Sequence, residues 1–234
     1  MKIAIQNPNY NINQKILIAV DCIIFGFDGK HLKLLLFKRQ IEPLAGRWSL
    51  IGAFVENEFT TSQTAEKVLF EGIGLPDVHL EQLKCYSSID RDPGGRVVSV
   101  AHYSLIRIND LEENIVEKHN AHWFKIGELP ELILDHETMV QDALVELKKR
   151  VRHQPLGVDL LPKYFTIQQL QALYESVYGK TLDSRNFRKK IFSFDILIKT
   201  DKKDKSNSKK GAFLYKYDRL KYEKLISKEW NFEI

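Results

Sequence analysis

Two sets of residues have the types and spacing to do chemistry. Glu56, Glu58 and Glu71 lie before and at the end of a segment of helical composition, Thr60–Glu71. Carboxylate oxygens gathered there would suit a divalent cation. Further on, Arg185, Arg188 and Lys189 recur on one side of a second helical segment. An arginine so presented can donate two bonds to a guanine edge, and a lysine can neutralise phosphates. A single acid, Asp21, stands inside the apolar run Ile16–Phe27; if buried it needs a partner, which makes it a better functional candidate than an exposed acid. His119, His122 and His136 have no cysteine partners or zinc spacing, so no metal site and no cofactor are expected from them.

The elements that must position these groups follow from pattern. Ile16–Phe27 and His31–Arg39 read as strands joined by an Asp28-Gly29 turn, the preferred chemistry of a tight hairpin. Val78–Ser88, Val97–Ile108 and His122–Ile126 are further strand-like runs. Thr138–Arg152 reads as a helix with Met139, Ala143, Leu144 and Leu147 on one stripe, ended by Pro155 and Gly157. Strands interspersed with a few helices predict an α+β domain over residues 1–153.

From 154 to 234 the texture changes. Thr166-Ile-Gln-Gln169 fits a capping box, Leu170, Leu173, Tyr174 and Val177 line one face, and Gly179 sits where a left-handed cap belongs. A second helix from Asp183 to about Ser193, a strand at Ile196–Thr200, a polar loop over 201–211 and a strand at Ala212–Tyr217 follow. That order, with a basic second helix and a charged hairpin tip, is a winged helix-turn-helix.

Composition sets the bounds. With 44% apolar and 28% charged residues the chain is an ordinary globular mixture, not a disordered one. The longest apolar run is interrupted by Asp21 and falls short of the ~20 residues of a membrane span, and the start MKIAIQNPNYN lacks the pattern of a signal peptide. Cys22 and Cys85 are too few for a disulfide framework and, each in a strand-like run, read as reduced core thiols of a cytosolic protein. Charge is unevenly divided: 18 basic against 21 acidic residues over 1–155, but 17 against 10 over 156–234. The segment Lys180–Lys216 alone holds 12 basic and 4 acidic residues, a local excess that favours a polyanion.

At 100° per residue Phe187, Ile191 and Phe194 fall together and should face the core, leaving Arg185, Arg188 and Lys189 outward with Asn186 on the flank. Lys202, Lys203, Lys205, Lys209 and Lys210 cluster around the hairpin tip as a wing that tracks the backbone or enters the minor groove. Thr166, Ser184 and Lys190 complete the expected double-stranded DNA surface. The bland alternative is a basic helical domain that docks a protein or RNA.

Residues 47–75, RWSLIGAFVENEFTTSQTAEKVLFEGIGL, resemble a Nudix box, GX5EX7REUXEEXGU with U aliphatic. Anchored on Gly74 and Leu75, the alignment puts Ala53 at the first glycine, Phe59 at the first glutamate, Lys67 at the arginine, and Val68 and Gly72 at two later glutamates. Only Glu71 remains of the helix carboxylates. Gly72 also costs about 1 kcal/mol of helix propensity against alanine. The resemblance therefore implies a Nudix fold, an α/β/α sandwich, that has lost its metal site and is not an enzyme; an unusual site built from Glu56, Glu58 and Glu71 is the alternative.

A Nudix-like domain followed by a winged helix resembles the Nudix-related transcriptional regulators over nearly the whole chain. The likeness includes Asp21-Cys-Ile-Ile, Leu34-Leu-Leu-Phe-Lys-Arg39, Trp48-Ser-Leu, the 90–99 segment DRDPGGRVVS, Leu161-Pro-Lys-Tyr-Phe-Thr166, Leu170-Gln-Ala-Leu-Tyr-Glu175 and Asp183-Ser-Arg-Asn-Phe-Arg-Lys-Lys-Ile191. It implies a homodimeric repressor of inverted-repeat operators whose Nudix domain senses a small molecule. The IDRDPG run and the 208–216 stretch SKKGAFLYK are especially similar to the L-arabinose-responsive branch of the Bacteroidetes, so L-arabinose or xylose, and pentose carbohydrate metabolism, are the expected effector and process. Lost carboxylates also remove the means of holding a metal against a pyrophosphate.

A sugar site combines carboxylate acceptors, arginine donors and an aromatic face. Asp21, Arg39, Trp48, Glu71, Asp90, Asp92, Arg96, His102 and Trp123 are the candidates. Asp90 and Arg96 bracket a Pro-Gly-Gly turn, which either aims them at one cleft or is a charged hairpin tip. Two other functions stand beside the pentose reading: a regulator of NAD metabolism sensing ADP-ribose, and an active Nudix hydrolase of ADP-ribose or a nucleotide sugar.

Overall fold

β1 (Leu17–Phe27) is the spine of the N-terminal unit. The computed structural model describes residues 14–74, 78–108, 120–153, 155–156, 160–206 and 210–226. β1 joins β2 (Leu32–Lys38) through the expected turn, where Asp28 Oδ1 accepts from the amides of Lys30 at 2.9 Å and His31 at 2.7 Å. Gly29 takes φ 92° there, a value side-chain-bearing residues rarely adopt.

β6 (Val97–Arg107) runs parallel to β1 from Leu17↔Val97 to Phe27↔Arg107, and β5 (Glu81–Tyr86) pairs antiparallel on its outer side. On the other flank β2 takes β3 (Trp48–Ser49) and β7 (Ala121–Lys125). β1 and β2 pair only between Phe25↔Leu34 and Phe27↔Leu32. Nearer its start β1 turns instead to β4 (Ile51–Phe54), with Asp21↔Gly52 in register. The two strands part like a fork, and the cleft between them is the feature that matters for function.

Successive residues of β1 point to opposite faces of the sheet. Val20, Cys22 and Ile24 pack with Ala65, Leu69 and Ile73 of α1 (Thr61–Ile73). Ile23, Phe25 and Phe27 join Met139, Val140, Ala143 and Leu147 of α2 (His136–His153) on the other face. Each such side chain contributes about 1.5–3 kcal/mol on burial. The α/β/α sandwich is the one the sequence predicts.

The C-terminal unit begins with α3 (Ile167–Tyr178), which has the predicted capping box at Thr166 and ends on Gly179 at φ 68°. α4 (Ser184–Ser193) follows, capped by Asp183, then the hairpin β8 (Leu197–Asp204) and β9 (Ala212–Tyr217), then α5 (Arg219–Ile226). Phe165 bridges Tyr215 and adds a short third strand, completing a winged helix. The polar stretch expected as a loop from 201 is corrected: β8 continues to Asp204, because the register slips between Lys199 and Lys203 and pairing resumes beyond it.

The two units share a continuous apolar core. The connecting segment is fixed to the C-terminal unit at Leu156: its amide donates to Tyr174 Oη at 3.0 Å, and Tyr217 Oη donates to its carbonyl at 2.7 Å. No helix among the described residues is long and apolar enough to cross a membrane.

Candidate functional site

The fork between β1 and β2 holds a cavity of about 690 Å³. Its β1 wall presents Asp21, the end of β2 presents Phe37, Lys38, Arg39 and Ile41, and β4 supplies Ile51, Gly52 and Phe54. Arg91 from the β5–β6 connection and His136 at the start of α2 close the base.

The buried charges form one network. Asp21 is 8% exposed; its Oδ2 accepts from Ser99 Oγ at 2.6 Å and lies 3.6 Å from Arg91 Nη2. Arg91 in turn donates through Nε and Nη2 to the two oxygens of Asp135, at 3.0 and 2.7 Å. Burial works against the Arg91 charge, yet the Asp135 bonds and the neighbouring acids hold its pKa above the ordinary value. A two-pronged arginine–carboxylate pair of this kind fixes orientation as well as charge.

His136 Nδ1 accepts the Leu50 amide at 3.1 Å. The proton of the neutral ring therefore sits on Nε2, 3.5 Å from Asp21 Oδ1. Burial lowers the His136 pKa, and the pull of Asp21 and Asp135 does not reverse this. Gly52 shapes the same spot: a β-carbon there would stand 2.4 Å from the Val20 carbonyl and 2.6 Å from Asp21 Oδ1.

Of the expected effector residues, Asp21, Arg39 and Asp92 line this cavity. The others lie outside it and are corrected as its lining. Trp48 is spent on aromatic packing, its ring edge-on to His122 at 5.3 Å and Phe124 at 4.9 Å. Glu71 and Asp90 are exposed away from the lining, and Arg96 donates to the Ser87 and Ser88 carbonyls at 3.0 Å, bracing its own loop. His102 is buried in the sheet with Nδ1 on the Val100 carbonyl. Trp123 packs over Gly26, whose missing β-carbon makes room for the indole. Arg91, His136, Lys38 and Ser49 were not foreseen. Arg91 and His136 bear on Asp21 from 70 and 115 residues away in the chain, and their only local sign is the pair of acids that flanks each.

The Nudix helix does not fit a divalent cation. Glu56 is bonded to Lys67 at 3.1 Å, Val68 is apolar, and Phe59 is stacked under the Lys67 ammonium at 4.7 Å. At Gly72 a β-carbon would come within 2.2 Å of Ile51 Cδ1, so an apolar side chain takes the space. Among the described residues no three His, Cys, Asp or Glu side chains converge as a ligand set.

In the winged helix Phe187, Ile191 and Phe194 are buried as expected, while Ser184, Arg185, Asn186, Arg188 and Lys189 are exposed and Lys190 is half-buried. Asp183 caps the helix by accepting from the Asn186 amide at 2.8 Å. Thr166 is corrected: it is 4% exposed and its hydroxyl caps α3, so it is not offered to DNA. Lys210 is exposed beside β9, and Lys209 lies outside the described residues. Lys199 and Lys203 sit over the Phe213 ring at 3.6 and 4.5 Å, and Lys202 over Tyr164 at 5.1 Å, so the wing carries cations on aromatic supports.

This is a Nudix domain joined to a DNA-binding winged helix: residues 15–143 match the NUDIX domain family and residues 157–217 the NrtR DNA-binding winged helix domain. The chain is 30% identical over 211 residues, 88% of its length and 84% of the relative's, to the ADPR responsive transcriptional repressor NtrR of Acinetobacter baylyi. It is 35% identical over 127 residues, 54% of this chain and 72% of the relative, to the ADP-ribose pyrophosphatase of Methanocaldococcus jannaschii. It resembles the crystal structure of Shewanella oneidensis NrtR complexed with a 27mer DNA, with TM-score 0.75 and 25% identity over 91% of this chain and 97% of that one. The protein belongs to the Nudix-related transcriptional regulators.

The pentose reading is overturned. The Acinetobacter relative is named for its response to ADP-ribose, and the expected L-arabinose or xylose effector, with carbohydrate metabolism as its process, is withdrawn. The physical argument for it also fails. Lys38 and Arg39 border the cavity, Arg39 donating Nε to the Ile41 and Pro43 carbonyls at 2.9 and 3.1 Å and Lys38 lying over the Trp48 ring at 5.6 Å, and cations beside a pocket can hold a pyrophosphate without a metal.

Proposed function

We propose that this chain is a DNA-binding transcriptional repressor whose Nudix domain binds ADP-ribose and does not hydrolyse it. The observation that carries the reading is a cavity bordered by Lys38, Arg39 and Arg91, beside a Nudix helix in which Val68 and Gly72 stand where carboxylates would be. The cavity binds a nucleotide with a charged linkage; the helix beside it lacks the donors that would break that linkage. Two winged helices of a homodimer then occupy two operator half-sites, with α4 in the major groove and the wing along the backbone. Effector binding changes DNA affinity only through unequal affinity for the two arrangements of the protein.

A second reading is hydrolysis of ADP-ribose, favoured by the likeness to the Methanocaldococcus pyrophosphatase. A thermal-shift panel with ADP-ribose, L-arabinose and xylose, followed by release of a DNA duplex enriched from a random library, tests the proposal. It expects ADP-ribose alone to raise the melting temperature and to change duplex binding. A shift with a pentose and none with ADP-ribose would contradict it.

A further inference from the structure

The two strands of the wing do not pair evenly. β8 and β9 are in register at Lys199↔Tyr215 and again at Lys203↔Phe213, so four steps along β8 match two along β9. The Thr200 hydroxyl fills the irregular rung: it donates to the Leu214 carbonyl at 2.9 Å and accepts from the Lys202 amide at 3.3 Å. In an even ladder, residues four apart on a strand stand about 13 Å apart. The bulge instead sets Lys199 and Lys203 opposite residues two apart, a separation of about 7 Å.

Both lysines thereby reach one ring. Their ammonium groups lie 3.6 and 4.5 Å from the centre of Phe213, which is itself 39% exposed. A carboxylate in that place would hold a lysine and cancel its charge; an aromatic face holds it and leaves the charge for another anion. An ammonium has three donors, so those turned away from the ring can bond a phosphate. Side chains alternate along β9, so Phe213 and Tyr215 lie on one face. The Tyr215 ring meets Phe192 of α4 at 5.5 Å. The two cations therefore stand on the side of the wing that adjoins α4, the helix with exposed Arg185 and Arg188.

We infer that Phe213 is a positioning residue for DNA binding: its ring holds Lys199 and Lys203 ready for backbone phosphates of the duplex that α4 contacts. The inference rests on the DNA-binding reading of the winged helix and is independent of the effector. Long side chains lose rotamer freedom when an interface immobilises them. The ring imposes part of that loss in the free protein, so less remains to be lost on the duplex.

Fluorescence anisotropy of the full chain with a duplex enriched from a random library, over a salt series, tests it. Phe213→Leu keeps an apolar side chain but removes the aromatic face, and is expected to bind about fivefold more weakly. Phe213→Tyr restores the face and is expected to recover most of that loss. Lys199→Ala with Lys203→Ala should lower the salt slope by about 2. In that double variant Phe213→Leu should add less than about a twofold further loss, because the groups it positions are gone. A ring that acts on the fold or on the DNA itself would carry its whole loss into the double variant, which overturns the inference. So does equal binding by Phe213→Leu and wild type, a tyrosine variant as weak as the leucine one, or a salt slope that the lysine pair leaves untouched. Each of these leaves the DNA-binding reading standing; failure of wild type to bind any enriched duplex overturns both.

Discussion

The Cδ1 of Ile51 lies 2.2 Å from where a β-carbon on Gly72 would stand. β4 and the Nudix helix are thereby packed together at the last carboxylate position of the box. A side chain at this position would have to turn the Ile51 tip aside. With Val68 and Phe59 also replacing carboxylates, one restored acid does not rebuild a ligand set. Gly72→Glu is expected to release no AMP from ADP-ribose with Mg2+ above the protein-free rate; steady AMP release by the variant or by wild type would refute this.

Arg185 and Arg188 are exposed on α4, whose Phe187 and Ile191 are buried. Replacing both with alanine should weaken binding to a selected duplex about 100-fold or more, since each bidentate contact is worth about 1–3 kcal/mol. ADP-ribose binding should be unchanged. Mobility-shift titrations check the first part and calorimetry the second. Raising salt should weaken wild-type binding steeply through counterion release; a flat salt series would argue against a wing on the backbone.

His102 and His136 are both held below the ordinary histidine value of 6.5, chiefly by burial. Unfolded, they take up protons near 6.5; folded, they resist doing so. Their stabilising contribution is therefore whole above that value and is lost as pH falls through and below it. Thermal melts should be level from about pH 8 to about pH 7 and fall towards about pH 5, with a shallower fall in His102→Gln. A melting temperature that rises on acidification over that interval would contradict the burial argument. Asp28 and Asp142, lowered from 3.8, act only in stronger acid.

Tyr174 anchors the connecting segment to the winged helix, because its hydroxyl is the acceptor for the buried Leu156 amide. Tyr174→Phe leaves that amide unpaired and should cost about 1–3 kcal/mol in denaturant unfolding. A loss well below that range would mean that the Tyr217 and Tyr222 hydrogen bonds to the segment, with apolar packing, hold it without Tyr174.

What the sequence disclosed was local. The Asp28-Gly29 hairpin, the capping box at Thr166, the Gly179 cap and the apolar stripes of α2 and α4 are contained in windows of a few residues, and they form as expected. β3 and β4 did not announce themselves, because two and four residues carry no period. The site was legible only in part for a related reason. Asp21 stood out as an acid in an apolar run, but its company of Arg91, Ser99 and His136 is assembled from distant segments. Asp90 and Arg96 drew attention at the hairpin tip, whereas the arginine between them turns inward to Asp135. The pentose effector followed from the likeness of the IDRDPG run and the 208–216 stretch to one branch of the family, and short stretches of that kind do not carry the identity of a ligand that distant segments bind.

The most direct test is calorimetric titration of the full chain with ADP-ribose in the presence of Mg2+, followed by chromatography of the recovered ligand. Saturable binding with ADP-ribose returned intact is the predicted result. AMP and ribose 5-phosphate accumulating in the cell, or no heat of binding at all, would contradict a Nudix domain that serves as a receptor.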